Sequence, residues 1–356
     1  MLEPADYLNA RLRGRKSRFL GPEKLRELSR LDSVEELRKQ LTDTLYGPHL
    51  SRLGYLEKDT ALLIERAVGE TLREDLKAVR GFSPELSASP ASFLFSRWDA
   101  WNMKAVARGL HSHESAERIQ GSLVQAGWVE EAVWREIASS RTLREGAERA
   151  LLLGVLSAGQ LRESFGEDRR YRSEVASLED SVDRRFYREA LRGLEEKGER
   201  EEFWSPALLS LREEIDAKNL KTVLLALASG EPREKKLTIP GGAWTVKLPG
   251  EPSSSEKARQ VLAQAVRKRY KAAGESLARV IEEENYLRAA ALTAKISWRR
   301  QMRFISGNPL SSAILVGYLW TRAAEAVDLR LILWGVNFGM GRERIGEELI
   351  IAGGGG

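Results

Sequence analysis

The chain has 356 residues, long enough for two or three domains with cores of their own. It carries 57 Lys and Arg against 52 Asp and Glu, a net charge of +5 with both signs interspersed. Cysteine is absent, which excludes disulfides, thiolate zinc sites and thiol catalysis, and no apolar run approaches the ~20 residues that cross a bilayer.

Leu, Ala, Glu and Arg dominate and proline is scarce at 11, so an all-α protein is predicted. The first residues lack a basic-then-apolar leader, and a soluble intracellular protein is expected. Arg11, Arg13, Arg15, Lys16 and Arg18 form the densest basic cluster. It reads either as a contact for phosphates, headgroups or an acidic partner, or as a solvated helix face. Helical periodicity with charged outer faces runs through 59–80, 112–156, 174–197 and 255–296. The one candidate hairpin is 236–248, interrupted by Pro240-Gly-Gly-Ala243. A polar break over 248–255 then leads into a new helix, with Ser253–Ser255 and Glu256 marking its start. Arg267–Arg269 and Arg299-Arg300 read as solvated faces, and 353–356 as a mobile tail.

One pattern occurs three times: Asp99-Ala-Trp-Asn-Met-Lys-Ala-Val-Ala-Arg-Gly109, Asp216-Ala-Lys-Asn-Leu-Lys-Thr-Val-Leu-Leu-Ala226 and Glu325-Ala-Val-Asp-Leu-Arg-Leu-Ile-Leu-Trp-Gly335. Anchored on Asn102, Asn219 and Asp328, the copies lie 117 and 109 residues apart, too far for solenoid repeats of roughly 20–50 residues. At about 100° per residue, the acid, the Asn or Asp and the apolar positions share an arc of about 120°, one buried helix face. Lys104 falls off that arc, toward solvent or a partner. Buried carboxylates need partners, so Asp99, Asp216 and Glu325 are expected to fix how helices and their ends meet. The small residues Gly109, Ala226 and Gly335 permit close approach or end the helix.

The likeness continues past the helix. Glu117-Arg118-Ile119 and Leu123-Val124-Gln-Ala-Gly127 follow Gly109 at the offsets at which Glu343-Arg344-Ile345 and Leu349-Ile350-Ile-Ala-Gly353 follow Gly335. The middle copy has a looser counterpart in Thr238-Ile-Pro-Gly-Gly242, read as displaced by an insertion. Three helical units are predicted, at 1–127, 128–245 and 246–356.

No catalytic centre, cofactor site or metal site is expected. Gly339-Met-Gly341 with Gly346 has the wrong spacing for a dinucleotide fingerprint, no P-loop is present, and three histidines place no catalytic set. Trp98, Trp101, Trp320 and Trp334 read as helix packing. A basic helical nucleic-acid-binding protein is the alternative, to be recognised by steep salt dependence. An enzyme using the repeated acids, for instance as metal ligands, is a further one, though carboxylates at i and i+3 lack an evident third ligand.

Taken together, Asp6-Tyr-Leu-Asn-Ala-Arg-Leu-Arg-Gly-Arg-Lys16, Thr42–Leu50, Glu213–Ala226, Glu284–Lys295 and Gly317–Leu349, with Asp328-Leu-Arg-Leu-Ile and Phe338-Gly, resemble the C subunit of V/A-type rotary ATPases, equivalent to the d subunit of vacuolar ATPases. The resemblance implies a non-catalytic rotor part made of three similar helical domains around a central opening. Its partners would be the central shaft and the membrane proteolipid ring, with one copy per complex and no nucleic acid. It would sit peripherally on the cytoplasmic face of the membrane. The chain departs from the family pattern over 231–256 and in its Gly-rich end.

Overall fold

The computed structural model describes residues 3–82, 89–167, 173–198, 202–229, 238–244 and 255–352. Among them are seventeen α-helices and no strand. The N-terminal part holds α1 (Glu3–Lys16), α2 (Pro22–Leu28), α3 (Val34–Thr42), α4 (Gly47–Leu53) and the long α5 (Thr60–Gly81). The first repeat lies on α6 (Phe93–His111) and leads into α7 (Ala116–Gly121), α8 (Glu131–Ala138), α9 (Leu143–Leu152), α10 (Ala158–Phe165) and α11 (Glu174–Gly198). The second lies on α12 (Ser205–Ser229), followed by α13 (Ser255–Tyr270), α14 (Ala272–Glu282) and α15 (Tyr286–Met302). The third lies on α16 (Ala313–Asn337), and α17 (Arg342–Glu348) completes the set. None of these helices is long and apolar enough to cross a membrane.

Caps explain where the periodic stretches break. The segment 112–156 is three short helices, because Ser115 and Thr142 turn their hydroxyls onto the backbone N–H groups of Arg118 and Glu145 and open new helices. The segment 255–296 is also three, divided where Lys271 and Glu284 take left-handed backbone angles of φ 52° and 59°. By contrast, 59–80 is one helix, with Asp59 capping the N–H of Leu62. Of the stretch expected as a hairpin, residues 238–244 form an irregular turn, while 236–237 and 245–248 lie outside the described residues, as do most of the polar break at 248–255 and the tail at 353–356.

Each repeat helix packs along another long helix: α6 on α11, α12 on α15, and α16 on α5. The buried apolar residues fall into three clusters. One runs from Met103 to Val182 and another from Leu220 to Ile296, so both are local in sequence. The largest joins Leu8–Trp98 to Ile314–Ala352 and takes in the C-terminal half of α11 and the N-terminal half of α12. The first and last parts of the chain therefore share one core.

Candidate functional site

The repeated polar positions fasten each helix to the connection that follows it. Asn102, fully buried, donates from Nδ2 to the Val124 carbonyl at 2.9 Å and accepts the Val124 N–H on Oδ1 at 2.9 Å. Asn219 does the same with Ile239, at 2.8 and 2.7 Å. A side-chain amide thus stands in for a backbone peptide, satisfying one donor and one acceptor. Asp328, which has no donor, accepts two N–H groups instead, from Ile350 at 2.7 Å and Ile351 at 2.8 Å. The first and third connections close after 22 residues and the middle one after 20. The middle copy is therefore shortened by two residues up to this point, and the insertion read from its sequence does not precede Ile239.

Three residues earlier, Asp99 accepts the N–H groups of Trp128 at 2.7 Å and Val129 at 3.2 Å. Asp216 takes the Trp244 N–H at 3.0 Å and an Arg269 guanidinium N–H at 2.9 Å. A Cβ on Gly127 would collide with the Asp99 carboxylate, and one on Gly242 with that of Asp216, so these glycines are what let the chain reach the acids. Glu325 differs. It receives the Leu20 N–H at 2.7 Å, the Tyr46 hydroxyl at 2.6 Å and the fully buried Arg322, tying α16 to the N-terminal part. Asp75 on α5 extends this network, accepting from Arg15 and from the Tyr318 hydroxyl, both at 2.6 Å.

Burial pushes Asp99, Asp216 and Asp328 from the usual value near 3.8 up to about 6, with their N–H donors acting in the opposite direction. Burial likewise raises Glu325. Two of the arginines expected on solvated faces serve the connections instead, Arg269 pairing with Asp216 and Arg299 donating to the Ile350 carbonyl at 2.9 Å, while Arg300 ties α15 to α12 through Glu213. Arg267 keeps to the surface, pairing with Glu275 and Glu282, and Lys268 is exposed as expected.

The small residues have a defined use in copies one and three. A Cβ on Gly109 would come 2.5 Å from Ile119, and one on Gly335 2.8 Å from Ile345, so the short helices α7 and α17 nest against bare backbone. Both repeat helices end alike. The N–H of Glu114 returns to the Gly109 carbonyl and that of Met340 to the Gly335 carbonyl, with His113 and Gly339 in left-handed conformation. Ala226 occupies the matching place in copy two, and its connection lies mostly outside the described residues.

The opposite face of each repeat helix meets a shared cavity of about 300 Å³. Two residues past each anchor, Lys104, Lys221 and Arg330 line it; one residue before, Trp101, Lys218 and Val327; five before, Arg97, Glu214 and Ala323. These offsets are one i, i+4, i+7 stripe, about 180° from the anchoring face. Lys104 bonds Asp183 at 2.8 Å, Lys218 shares the same carboxylate, and Arg330 reaches Glu65 at 2.6 Å. Arg97 pairs with Glu214 and lies 4.5 Å over the Trp320 ring. Trp98 and Trp320 are nearly buried in the wall, whereas Trp101 is 45% exposed, so packing alone does not account for it. The N-terminal basic cluster lies elsewhere: Arg15 pairs with Asp75, Arg11 sits 4.3 Å over Phe82, and Arg13, Lys16 and Arg18 are exposed. His49, Glu70 and Glu74 come close enough to hold an ion, but Arg52 is within 3.8 Å of all three and supplies the positive charge.

The profile of the ATP synthase (C/AC39) subunit family matches residues 8–348, nearly the whole chain. The chain belongs to that family. Among its relatives, the C subunit of the A-type ATP synthase of Halorubrum lacusprofundi is 26% identical over 355 residues, covering 97% of each protein. The proteins of the same name from Archaeoglobus fulgidus and Pyrococcus horikoshii are 25% and 24% identical. The first covers 97% of this chain and 96% of the relative, the second 92% and 85%. Membership of this family makes the protein one subunit of a rotary ATP synthase or ATPase assembly.

Proposed function

We propose that the protein is the non-catalytic rotor subunit that couples the central shaft of a V/A-type rotary ATPase to the membrane proteolipid ring, sitting peripherally on the cytoplasmic face with one copy per complex. The observation that carries this reading is the cavity to which three equivalent helix stripes contribute nine equivalent positions. Three like units around a common opening supply a socket for a shaft, and repeated head-to-tail contacts close when the rotation between units fits. Because α16 and α17 share their core with α1–α5, we propose units that each start at a repeat helix, in place of cuts at 127 and 245. Transmitting torque requires stiff packed helices and not acid–base groups, and the repeated acids are each taken up by N–H donors or arginines.

The test is purification of the tagged chain from native membranes in mild detergent. Shaft and proteolipid subunits should come with it in fixed ratio, and density for the chain should lie between them in an image of the complex. Recovery as a free protein, or in contact only with the catalytic head, would refute the reading.

A further inference from the structure

The positive charge of this chain is unevenly compensated. Arg267 faces Glu275 and Glu282, Arg269 faces Asp216 and Arg300 faces Glu213. Helix α1 and the turn after it differ. From Tyr7 to Pro22 the sequence holds five cations and no acid, and only Arg15 among them has a carboxylate partner among the described residues, Asp75 at 2.6 Å. Arg11 donates to the Tyr7 hydroxyl and lies over the Phe82 ring. Arg13, Lys16 and Arg18 are exposed, with no side-chain partner among the described residues. The net charge of the whole chain is +5, so these four uncompensated cations leave the rest of the molecule close to neutral.

Their placement follows from helical spacing. Leu8 and Leu12 are buried on the side of α1 that packs toward α16. At about 100° per residue, Ala10, Gly14 and Tyr7 come out on the opposite side, and all three are exposed, Tyr7 by 55%. Arg13 and Lys16 fall on one flank of this strip and Arg11 on the other. Small uncharged residues outermost, with cations on both flanks, let a helix lie flat on a surface while its long side chains reach down from either side. The loop Asn308-Pro309-Leu310 runs along the flank that carries Arg13. Asn9 holds it there, donating from Nδ2 to the carbonyls of Pro309 at 2.6 Å and Ser311 at 3.1 Å, and Leu310 is 64% exposed. A fixed tyrosine and leucine beside uncompensated arginines supply both parts of interfacial binding, a shallow apolar insertion and attraction to anionic headgroups. The strip is convex, the outer side of a single helix. A fluid layer of headgroups conforms to such a shape, where a rigid partner needs a matching groove.

We propose that the outer side of α1, with Leu310 beside it, lies on a membrane surface rich in anionic phospholipid and holds headgroup phosphates through Arg11, Arg13, Lys16 and Arg18. This lipid contact is separate from the shaft and ring contacts of the rotor reading and does not require them. Tyr7 and Leu310 sit at headgroup depth, and the guanidinium groups offer paired N–H donors to phosphate oxygens. Each cation near such a surface raises partitioning about fivefold, so four make a contact that forms at low salt and is lost at high salt.

The full chain is sedimented with vesicles of phosphatidylcholine alone and of phosphatidylcholine containing about 30% phosphatidylglycerol. Binding to the anionic vesicles should be stronger by roughly tenfold or more, and should fall by about an order of magnitude between roughly 0.05 and 0.3 M salt. Arg13→Gln with Lys16→Gln removes two exposed, unpaired charges and should lower partitioning roughly 25-fold. Lys268→Gln, equally exposed on α13, should leave it unchanged. Leu310→Ser should weaken binding a few-fold at every salt concentration. Equal binding to the two kinds of vesicle, or a double variant that binds as the parent does, overturns the proposal. A double variant that binds vesicles normally but loses affinity for other subunits in the rebuilt complex also overturns it, and assigns α1 to an acidic protein surface. Tighter binding to a single-stranded oligonucleotide than to the anionic vesicles does the same in favour of nucleic acid. The rotor reading stands or falls separately, on the purification from native membranes.

Discussion

Replacing Asn102 by Asp exchanges one heavy atom, Nδ2 for an oxygen, and removes one hydrogen-bond donor. In the parent, Nδ2–H points at the Val124 carbonyl at 2.9 Å with no solvent access. An ionised carboxylate there would set oxygen against oxygen, losing a bond worth about 1 kcal/mol and burying a charge at a cost of several more. The penalty has a ceiling, because the carboxyl can take up a proton and donate to Val124 as the amide did. From an ordinary value near 3.9 that protonation costs about 5–6 kcal/mol at pH 8 and about 1.5 kcal/mol at pH 5. The folded pKa of the new carboxyl therefore lies above its unfolded value, so the folded state holds the extra proton between the two, and stability recovers as pH falls through that window. Asn102→Asp should cost about 3–5 kcal/mol at pH 8 and less than about 2 kcal/mol at pH 5. Denaturant unfolding at several pH values measures the first quantity, and exchange of the Val124 amide reports the local one. Asn102→Ala, which cannot titrate, serves as the control with a pH-independent loss. A penalty for Asn102→Asp that stays constant with pH, or below about 1 kcal/mol at pH 8, refutes the peptide-mimic role.

Other substitutions and titrations test the same construction. Gly109→Ala and Gly335→Ala push into Ile119 and Ile345 and should each destabilise by about 1–3 kcal/mol, with Ile119→Val or Ile345→Val restoring part of the loss in thermal unfolding. Arg322→Leu strips the buried Glu325 and Asp75 of their shared cation and should cost about 3–5 kcal/mol at pH 8, less under acid where Glu325 protonates; an unshifted unfolding midpoint would contradict it. The Asp328 carboxyl should titrate at about 6, read by carbon NMR. Since that is above the unfolded value near 3.8, its protonation favours the fold, so its contribution to stability rises as pH drops from above 6 toward 4 and Asp328→Ala abolishes that component.

The anchoring face could be read from sequence because its chemistry is the same in every copy: an acid, an amide or acid three residues on, and small or apolar residues at helical spacing. The all-α character followed from composition for a similar reason, being a property of many residues at once. The partners of the acids were not readable. Backbone N–H groups leave no trace in a residue pattern, and Arg269 and Arg299 come from helices that do not match one another. The breaks at Lys271 and Glu284 were hidden as well, because ordinary charged residues there take backbone angles that usually call for glycine. The cavity stripe escaped notice because two of its three sets are dissimilar by residue type. Only Lys104, Lys221 and Arg330 repeat, and one-dimensional reasoning placed Lys104 off the buried face without saying what it faced.

The shared core of the two chain ends bears on how the molecule is made. The clusters from Met103 to Val182 and from Leu220 to Ile296 are complete as soon as their own stretches leave the ribosome. The helices that emerge first have no such option: Leu25, Leu37, Ile64 and their neighbours stay partly uncovered until α16 arrives some 250 residues later, about ten to fifty seconds at ordinary synthesis rates. During that interval the nascent chain carries two finished modules and an open greasy flank, which makes its earliest segment the place where chaperones would be needed.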